Sequence, residues 1–213
     1  MHMIHDGPAG APITILLAHG AGAPMDSPAM TLVTQVLAEN GLRVARFEFA
    51  YMAARRTDAG RKPPPRADKL LGEYHAAIAA LEAEGPLVIG GKSMGGRVAS
   101  MIADECFSAD RITGLLCIGY PFHPPAKADN LRTAHLEHLQ TPTLICQGTR
   151  DPFGTREEVP QYALADAIRL EWFEDGDHDL RPRKKVTGLS MNEQMARLGT
   201  VVASWCDQRV RIG

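Results

Sequence analysis

From residue 13 onward, short runs of β-branched and apolar residues alternate with longer stretches in which apolar residues recur every three or four positions. The first rhythm belongs to buried strands and the second to helices that pack on one face. Ile13 to Ala18 reads as a buried strand. Ser27-Pro28 then offers an N-cap and a first-turn proline, and Leu32, Val36 and Leu37 predict a helix that Asn40-Gly41 ends. Leu42 to Phe49 alternates as a second strand. Residues 50–66 are irregular, and Pro63-Pro64-Pro65 forces extended backbone ahead of a helix marked by Leu70, Tyr74, Ile78 and Leu81. Leu87 to Gly90 predicts a third strand, followed by a helix reaching about Cys106. Further strands are expected at Ile112 to Ile118, Thr143 to Gln147 and Ile168 to Phe173, with a helix over Glu157 to Ala165 and a closing helix over Asn192 to Cys206.

Strands that alternate with helices imply parallel pairing through crossover connections. The fold class expected is therefore α/β: an open, mostly parallel sheet of about six strands with helices on both faces. The 213 residues contain no repeat and no linker, so residues 1–213 are read as one domain. Gly119 to Thr141, between two strands, leaves little room for a large cap domain.

Composition narrows the function classes. The net charge of −2 lacks the basic excess of nucleic-acid binders, and no apolar run approaches the roughly 18 residues of a membrane span. Neither nucleic acid nor membrane is expected as a partner. Met1 to Asp6 lacks the basic and apolar regions of a secretory leader, which points to the cytoplasm. Cys106, Cys117, Cys146 and Cys206 are scattered without a Cys-x-x-Cys pair, as expected of buried thiols rather than disulfides or a zinc site.

The strongest chemical signal is Gly91-Lys92-Ser93-Met94-Gly95, a G-x-S-x-G between a predicted strand and a predicted helix. Such a turn strains the serine backbone and exposes its hydroxyl at the carboxyl edge of the sheet, while flanking glycines remove Cβ atoms that would clash. The competing reading, a phosphate loop with Lys92 as its cation, lacks the G-x-x-x-x-G-K-[ST] and G-x-G-x-x-G spacings. A serine nucleophile needs a base and a group that orients it. His178 lies in Asp175-Gly176-Asp177-His178-Asp179 just after the last predicted strand, and Asp151 lies in Gly148-Thr149-Arg150-Asp151-Pro152 after the strand before it. Asp175, Asp177 and Asp179 are weaker candidates, because near neighbours of a histidine rarely point back at its ring. The catalytic candidates are thus Ser93, Asp151 and His178, in the Ser, acid, His order of α/β-hydrolases. The oxyanion hole is assigned to the backbone N–H groups of Met94 and of Ala21, with Gly22 as the other candidate. His19 is read as shaping that loop. No cofactor or metal is implied.

His19-Gly20-Ala21-Gly22-Ala23, Arg46-Phe47-Glu48-Phe49-Ala50-Tyr51-Met52, Lys92-Ser93-Met94-Gly95-Gly96-Arg97, Gly148 to Gly154 and Asp175 to Leu180 together resemble the small α/β-hydrolases of the KANL3/Tex30-like group. More distantly the chain is similar to dienelactone hydrolases, which carry a cysteine nucleophile where this chain has Ser93. The resemblance spans residues 13–206 and implies the hydrolase fold with Ser93, Asp151 and His178 in the matching positions. Some eukaryotic relatives are components of larger assemblies.

The expected substrate is a small carboxylic ester or thioester, cleaved through an acyl-enzyme in an open site. A non-catalytic hydrolase-fold interaction module is the alternative. Met25, Tyr120 and Phe122 are candidates for an apolar acyl pocket. Arg55, Arg56, Arg61, Lys62 and Arg66 against Asp58 make residues 50–66 a basic segment that would guide an anionic substrate, or else a solvated loop.

Overall fold

A computed structural model describes residues 1–57, 63–81 and 83–209. Its centre is a seven-stranded sheet built from β1 (Met3–Asp6), β2 (Thr14–Ala18), β3 (Arg43–Phe47), β4 (Leu87–Lys92), β5 (Gly114–Ile118), β6 (Thr143–Gly148) and β7 (Ile168–Phe173), in the order β1-β3-β2-β4-β5-β6-β7. All neighbours pair in parallel except β1, which runs antiparallel to β3 with Met3 opposite Phe47 and Asp6 opposite Val44.

The strands β2, β4, β5 and β6 are buried along their whole length, as expected where helices cover both faces. Alternate side chains feed two cores. Leu16, Ile89, Leu115 and Cys117 point to the side covered by α3 (Leu71–Leu81) and α4 (Met94–Ser108). Ile15, Leu17, Val88 and Leu116 point to the side covered by α1 (Pro28–Glu39) and α6 (Met191–Arg209), where Trp205 and Leu198 close the layer. The four cysteines are buried and in no disulfide, divided between these cores, as expected. Ser27 caps α1 by accepting from the Met30 amide at 3.4 Å, with Pro28 in the first turn, as the sequence predicts.

Three differences from the sequence reading have physical causes. The seventh strand, β1, is four residues long and lies at the sheet edge, so it carries no buried periodicity; Asp6 there pairs with Arg46 of β3 at 2.8 Å. The helix expected over Glu157 to Ala165 is only a 3-10 turn, Val159–Gln161. Pro160 provides no N–H to continue it, Tyr162 is extended, and the Ala165 amide donates to Leu136 O instead. The second strand stops at Phe47, because Phe49 turns the chain into the short helix α2 (Ala50–Ala54). A four-residue helix α5 (Lys184–Thr187) precedes α6.

Between β5 and β6 the chain forms one 3-10 turn, Ala134–Leu136, and no cap. The order reverses between β2 and β4, so their carboxyl-end loops open a crevice at the switch point of the sheet. No helix among the described residues is long and apolar enough to cross a membrane.

Candidate active site

Ser93 joins β4 to α4 with φ 52° and ψ −116°, a region that non-glycine residues rarely occupy. The turn survives because its surroundings admit no other path. A Cβ on Gly91 would lie 2.4 Å from Ala18 O, and one on Gly95 would lie 2.4 Å from Ala18 O and 2.7 Å from His19 O. The Ser93 amide donates to Ile118 O at 2.9 Å, anchoring the turn to β5.

The loops that follow β6 and β7 meet Ser93. Asp151 is fully buried, and its carboxylate accepts from His178 Nδ1 at 2.8 Å, Gln147 Nε2 at 3.0 Å and the Phe153 amide at 2.9 Å. A carboxylate can only accept, so Nδ1 carries the imidazole proton and Nε2 of the neutral ring is an acceptor. Ser93 Oγ lies 2.9 Å from that Nε2 and donates to it. Phe153 packs on the imidazole with ring centres 4.3 Å apart. Ser93, His178 and Asp151, predicted from three chain segments as much as 85 positions apart, form one hydrogen-bonded chain.

The other acids of the histidine loop have different tasks. Asp175 is clamped by Arg183, whose amide and guanidinium both donate to it; these contacts hold its carboxyl down to about 2 against the opposing effect of burial. Asp177 accepts from the amides of Asp179 and Arg181. Asp179 pairs with Lys92 at 2.9 Å, and Lys92 Nζ also donates to His178 O at 2.8 Å. Lys92 is therefore a strut between the serine turn and the histidine loop, with its ammonium engaged by protein groups.

The loop after β2 is braced by the segment after β3. His19, with no solvent exposure, lies 2.7 Å by its Nδ1 from Gly20 O, while its Nε2 accepts from the Phe49 amide at 3.2 Å. An acceptor at Nε2 requires the proton on Nδ1, so His19 donates to the carbonyl of the peptide that carries the Ala21 N–H. Burial favours this neutral ring by lowering the His19 pKa. Tyr51 Oη donates to Ala21 O at 3.1 Å, and Glu48 accepts from the Met25 amide at 3.1 Å. Arg46 donates to Met25 O at 2.9 Å. The motif from Arg46 to Tyr51 is thus a scaffold for the loop predicted to hold the oxyanion.

Residues 11–207 match the family of the alpha/beta hydrolase domain. The chain belongs to the α/β-hydrolases. Solved structures with the same fold include a dienelactone hydrolase from Anabaena variabilis, 18% identical with a TM-score of 0.70, covering 98% of this chain and 92% of that one. An α/β serine hydrolase without lid from Xanthomonas campestris is 18% identical with a TM-score of 0.67, covering 98% and 88%. An α/β serine hydrolase homologue from Coxiella burnetii is 16% identical with a TM-score of 0.67, covering 95% and 89%.

In this α/β-hydrolase Ser93 lies between two cavities. One, of about 520 Å³, runs over Gly20 to Ala23, Pro28, Met30, Lys92 and His178. The other, of about 460 Å³, is bounded by Ala21, Pro64 to Asp68, Met94, Arg97, Met101, Pro121, Arg132 and Phe153. Ala21 borders both and Met94 the second; Gly22 borders only the first.

The acyl-pocket candidates are corrected by the packing. Met25, Tyr120 and Phe122 are buried and line neither cavity at Ser93. Met25 belongs to the brace against Glu48 and Arg46. Tyr120 and Phe122 lie beneath the second cavity in edge-to-face contact, where Tyr120 Oη donates to Arg132 O and Phe122 O accepts from the Arg132 amide. Apolar residues just after a strand are drawn into the core unless a pocket opens beside them.

The basic segment is also divided. Arg56 is held by Glu48 and Asp26, both at 2.7 Å, and Arg55 lies over the Tyr51 ring at 5.1 Å. Arg66 borders the second cavity, while Arg61 and Lys62 lie outside the described residues. The sequence reading missed Gln147, Arg97 and Arg132. Gln147 had a signal, being a polar residue inside the buried run Thr143–Gly148. Arg132 had none, since only folding carries its loop to Ser93.

Proposed function

We propose that this α/β-hydrolase is a serine hydrolase that cleaves carboxylic esters or thioesters through an acyl-enzyme, with Ser93, His178 and Asp151 as its catalytic triad. The observation that carries the reading is the unbroken chain from Ser93 Oγ through the His178 ring to buried Asp151, at 2.9 and 2.8 Å. His178 Nε2 takes the Ser93 proton as Oγ bonds to the substrate carbonyl carbon. The carbonyl oxygen becomes an oxyanion that the Ala21 and Met94 amides receive. The protonated imidazole, held and stabilised by Asp151, then gives that proton to the departing alcohol or thiol as the bond to the acyl carbon breaks. A water that loses its proton to His178 attacks the acyl-Ser93, and return of the proton to Oγ frees the acid. The reaction as written draws on these groups and water, without a cofactor or metal.

Two further features support the reading. The open crevice suits small substrates, and the strained Ser93 turn keeps its hydroxyl at the mouth of both cavities. The motifs that resemble the KANL3/Tex30-like group support assignment to those small hydrolases, and four buried cysteines outside any disulfide fit a reducing cytoplasm.

The test is labelling by a fluorophosphonate, which traps an activated serine, on the wild-type protein beside Ser93→Ala. Labelling of the wild type alone is the expected result. A folded wild type that stays unlabelled overturns the catalytic reading and leaves the interaction module in its place.

A further inference from the structure

The 460 Å³ cavity beside Ser93 carries more positive charge than its walls neutralise. Arg66, Arg97 and Arg132 border it, and the one acidic wall residue, Asp68, pairs with Arg66 at 3.2 Å. Arg97 and Arg132 make no ion pair among the described residues, and the buried Arg97 Nε has no hydrogen-bond partner. Two guanidinium groups that border one cavity with no carboxylate paired to either leave their charge to be met by an anion within the cavity. The pKa of the nearby Arg132 is lowered first by burial and then by the charge of Arg97, with Tyr120 opposing, in keeping with two cations that border one cavity.

The local architecture holds this pair in place. Arg97 stands one turn along α4 from Ser93, with its amide donating to Ser93 O at 3.0 Å, so it shares the face of the helix that meets the serine. Arg132 lies on the loop between β5 and β6, its amide donating to Phe122 O at 2.7 Å and its carbonyl accepting from Tyr120 Oη at 3.0 Å. Both anchors, the Phe122 carbonyl and the Tyr120 hydroxyl, belong to buried residues, so the guanidinium is presented from a fixed base. The amino end of α4, a helix of 15 residues, adds its positive end to the same cavity.

We infer that Arg97 and Arg132 form an anion subsite, and that the substrate is an ester or thioester bearing a carboxylate on the arm that occupies this cavity. This specificity rests on the serine-hydrolase reading above. Two planar forks around one cavity suit a carboxylate, which accepts bidentately from a guanidinium, better than a neutral chain. The opposite cavity has an apolar stretch at Ala23, Pro28 and Met30 for the uncharged arm; of its charged wall residues, Lys92 and Asp179 pair with each other at 2.9 Å, and Arg181 stands beside them. The cations involved differ from the basic segment as the sequence suggested it: of that segment only Arg66 reaches the cavity among the described residues, and its guanidinium is largely exposed and paired.

The experiment compares matched esters on the intact protein. In the acyl-side pair, 4-nitrophenyl adipate half-ester is set against its half-amide; in the leaving-group pair, 4-carboxyphenyl hexanoate is set against 4-carbamoylphenyl hexanoate. A preference of about ten-fold in kcat/KM for the carboxylate in one pair is expected, and the pair that shows it identifies the arm. The preference should shrink at about 0.5 M NaCl, because screening weakens the attraction. In Arg97→Gln and Arg132→Gln, measured separately, the carboxylate-to-amide ratio should fall towards one, whatever happens to the absolute rates. Equal rates within both pairs in the wild type overturn the inference, as does a preference that survives both substitutions. Hydrolysis of the neutral esters with no such preference leaves the hydrolase reading standing and removes only the subsite. Absence of both hydrolysis and fluorophosphonate labelling removes the two together.

Discussion

Lys92 Nζ donates to the main-chain carbonyl of His178 at 2.8 Å, so the residue before the candidate nucleophile holds the residue that would deprotonate it. The ammonium is mostly buried, with 10% of the side chain exposed, and its remaining charge is met by Asp179 at 2.9 Å. That pairing keeps Asp179 readily ionised, its pKa falling below the ordinary value although burial pushes the other way. The serine turn and the histidine loop are thereby fixed to each other independently of the Ser93 to His178 hydrogen bond.

Lys92→Met keeps the apolar stem and removes the donor. The expected outcome is a fall in kcat of about 10- to 100-fold through misplacement of the base, with KM for a neutral ester nearly unchanged. Steady-state kinetics and the rate of fluorophosphonate labelling check it. Equal labelling rates for variant and wild type would contradict a positioning role.

Asp151→Asn preserves volume but cannot accept from His178 Nδ1 in the same way, and an amide that donates there selects the wrong tautomer. Ester hydrolysis should fall by about 10⁴-fold in kcat, close to the effect of Ser93→Ala. Far-ultraviolet circular dichroism should report an intact fold in both variants.

His19 orients the peptide that presents the Ala21 N–H. His19→Ala should lower kcat by about 10- to 100-fold, somewhat less than removal of an oxyanion donor itself. His19→Asn retains a donor near the Nδ1 position and should recover much of the loss. If the two variants are equally impaired, the hydrogen bond to Gly20 O is not the relevant contact.

His135 gives stability a particular pH dependence. Burial, assisted by the Arg97 charge and opposed by Asp104, lowers its pKa from 6.5 to about 4, while its Nε2 lies 2.8 Å from Ser100 Oγ and 3.5 Å from Tyr120 Oη. Above pH 6.5 the ring is neutral in folded and unfolded chains alike, and it contributes no slope. As pH falls from 6.5 to about 4 the unfolded chain takes up the proton first, so folding free energy declines across that window. His19, also lowered by burial, adds to the same slope. Urea unfolding at a series of pH values should show this decline in the wild type and a shallower one in His135→Gln.

Gly119 has φ +63°, and a Cβ there would lie 2.7 Å from His178 O. Gly119→Ala should therefore cost about 1–3 kcal/mol in stability and displace the histidine loop. Chemical denaturation and ester hydrolysis should both register the change, whereas Gly22→Ala, which meets nothing within 4 Å, should leave stability nearly unaltered.

Much of the fold was legible along the chain because its signals are local. Buried strands such as Leu87–Lys92 need unbroken apolar runs, a helix such as Pro28–Glu39 needs a cap and a periodic face, and the Ser93 turn needs glycines at both flanks. Even Asp151 and His178 could be found, since a parallel sheet sends the loops after its strands to one edge and the order of strands limits which loops meet. Elements governed by distant partners were not legible. Met3–Asp6 becomes a strand only because β3 has a free edge, and residues 157–165 lose their helix to Pro160 and to the hydrogen bond between Ala165 and Leu136.

The same division runs through the site. Residue order determined the hydrolase fold and named the candidates for nucleophile, base and orienting acid, because each sits in a short motif at a strand end. Tertiary structure alone decided that Tyr120 and Phe122 belong to the core, that Arg56 is consumed by Glu48 and Asp26, and that Arg97 and Arg132, 35 positions apart, face one cavity. Burial and charge pairing depend on what surrounds a side chain in three dimensions, and no spacing along the chain encodes that.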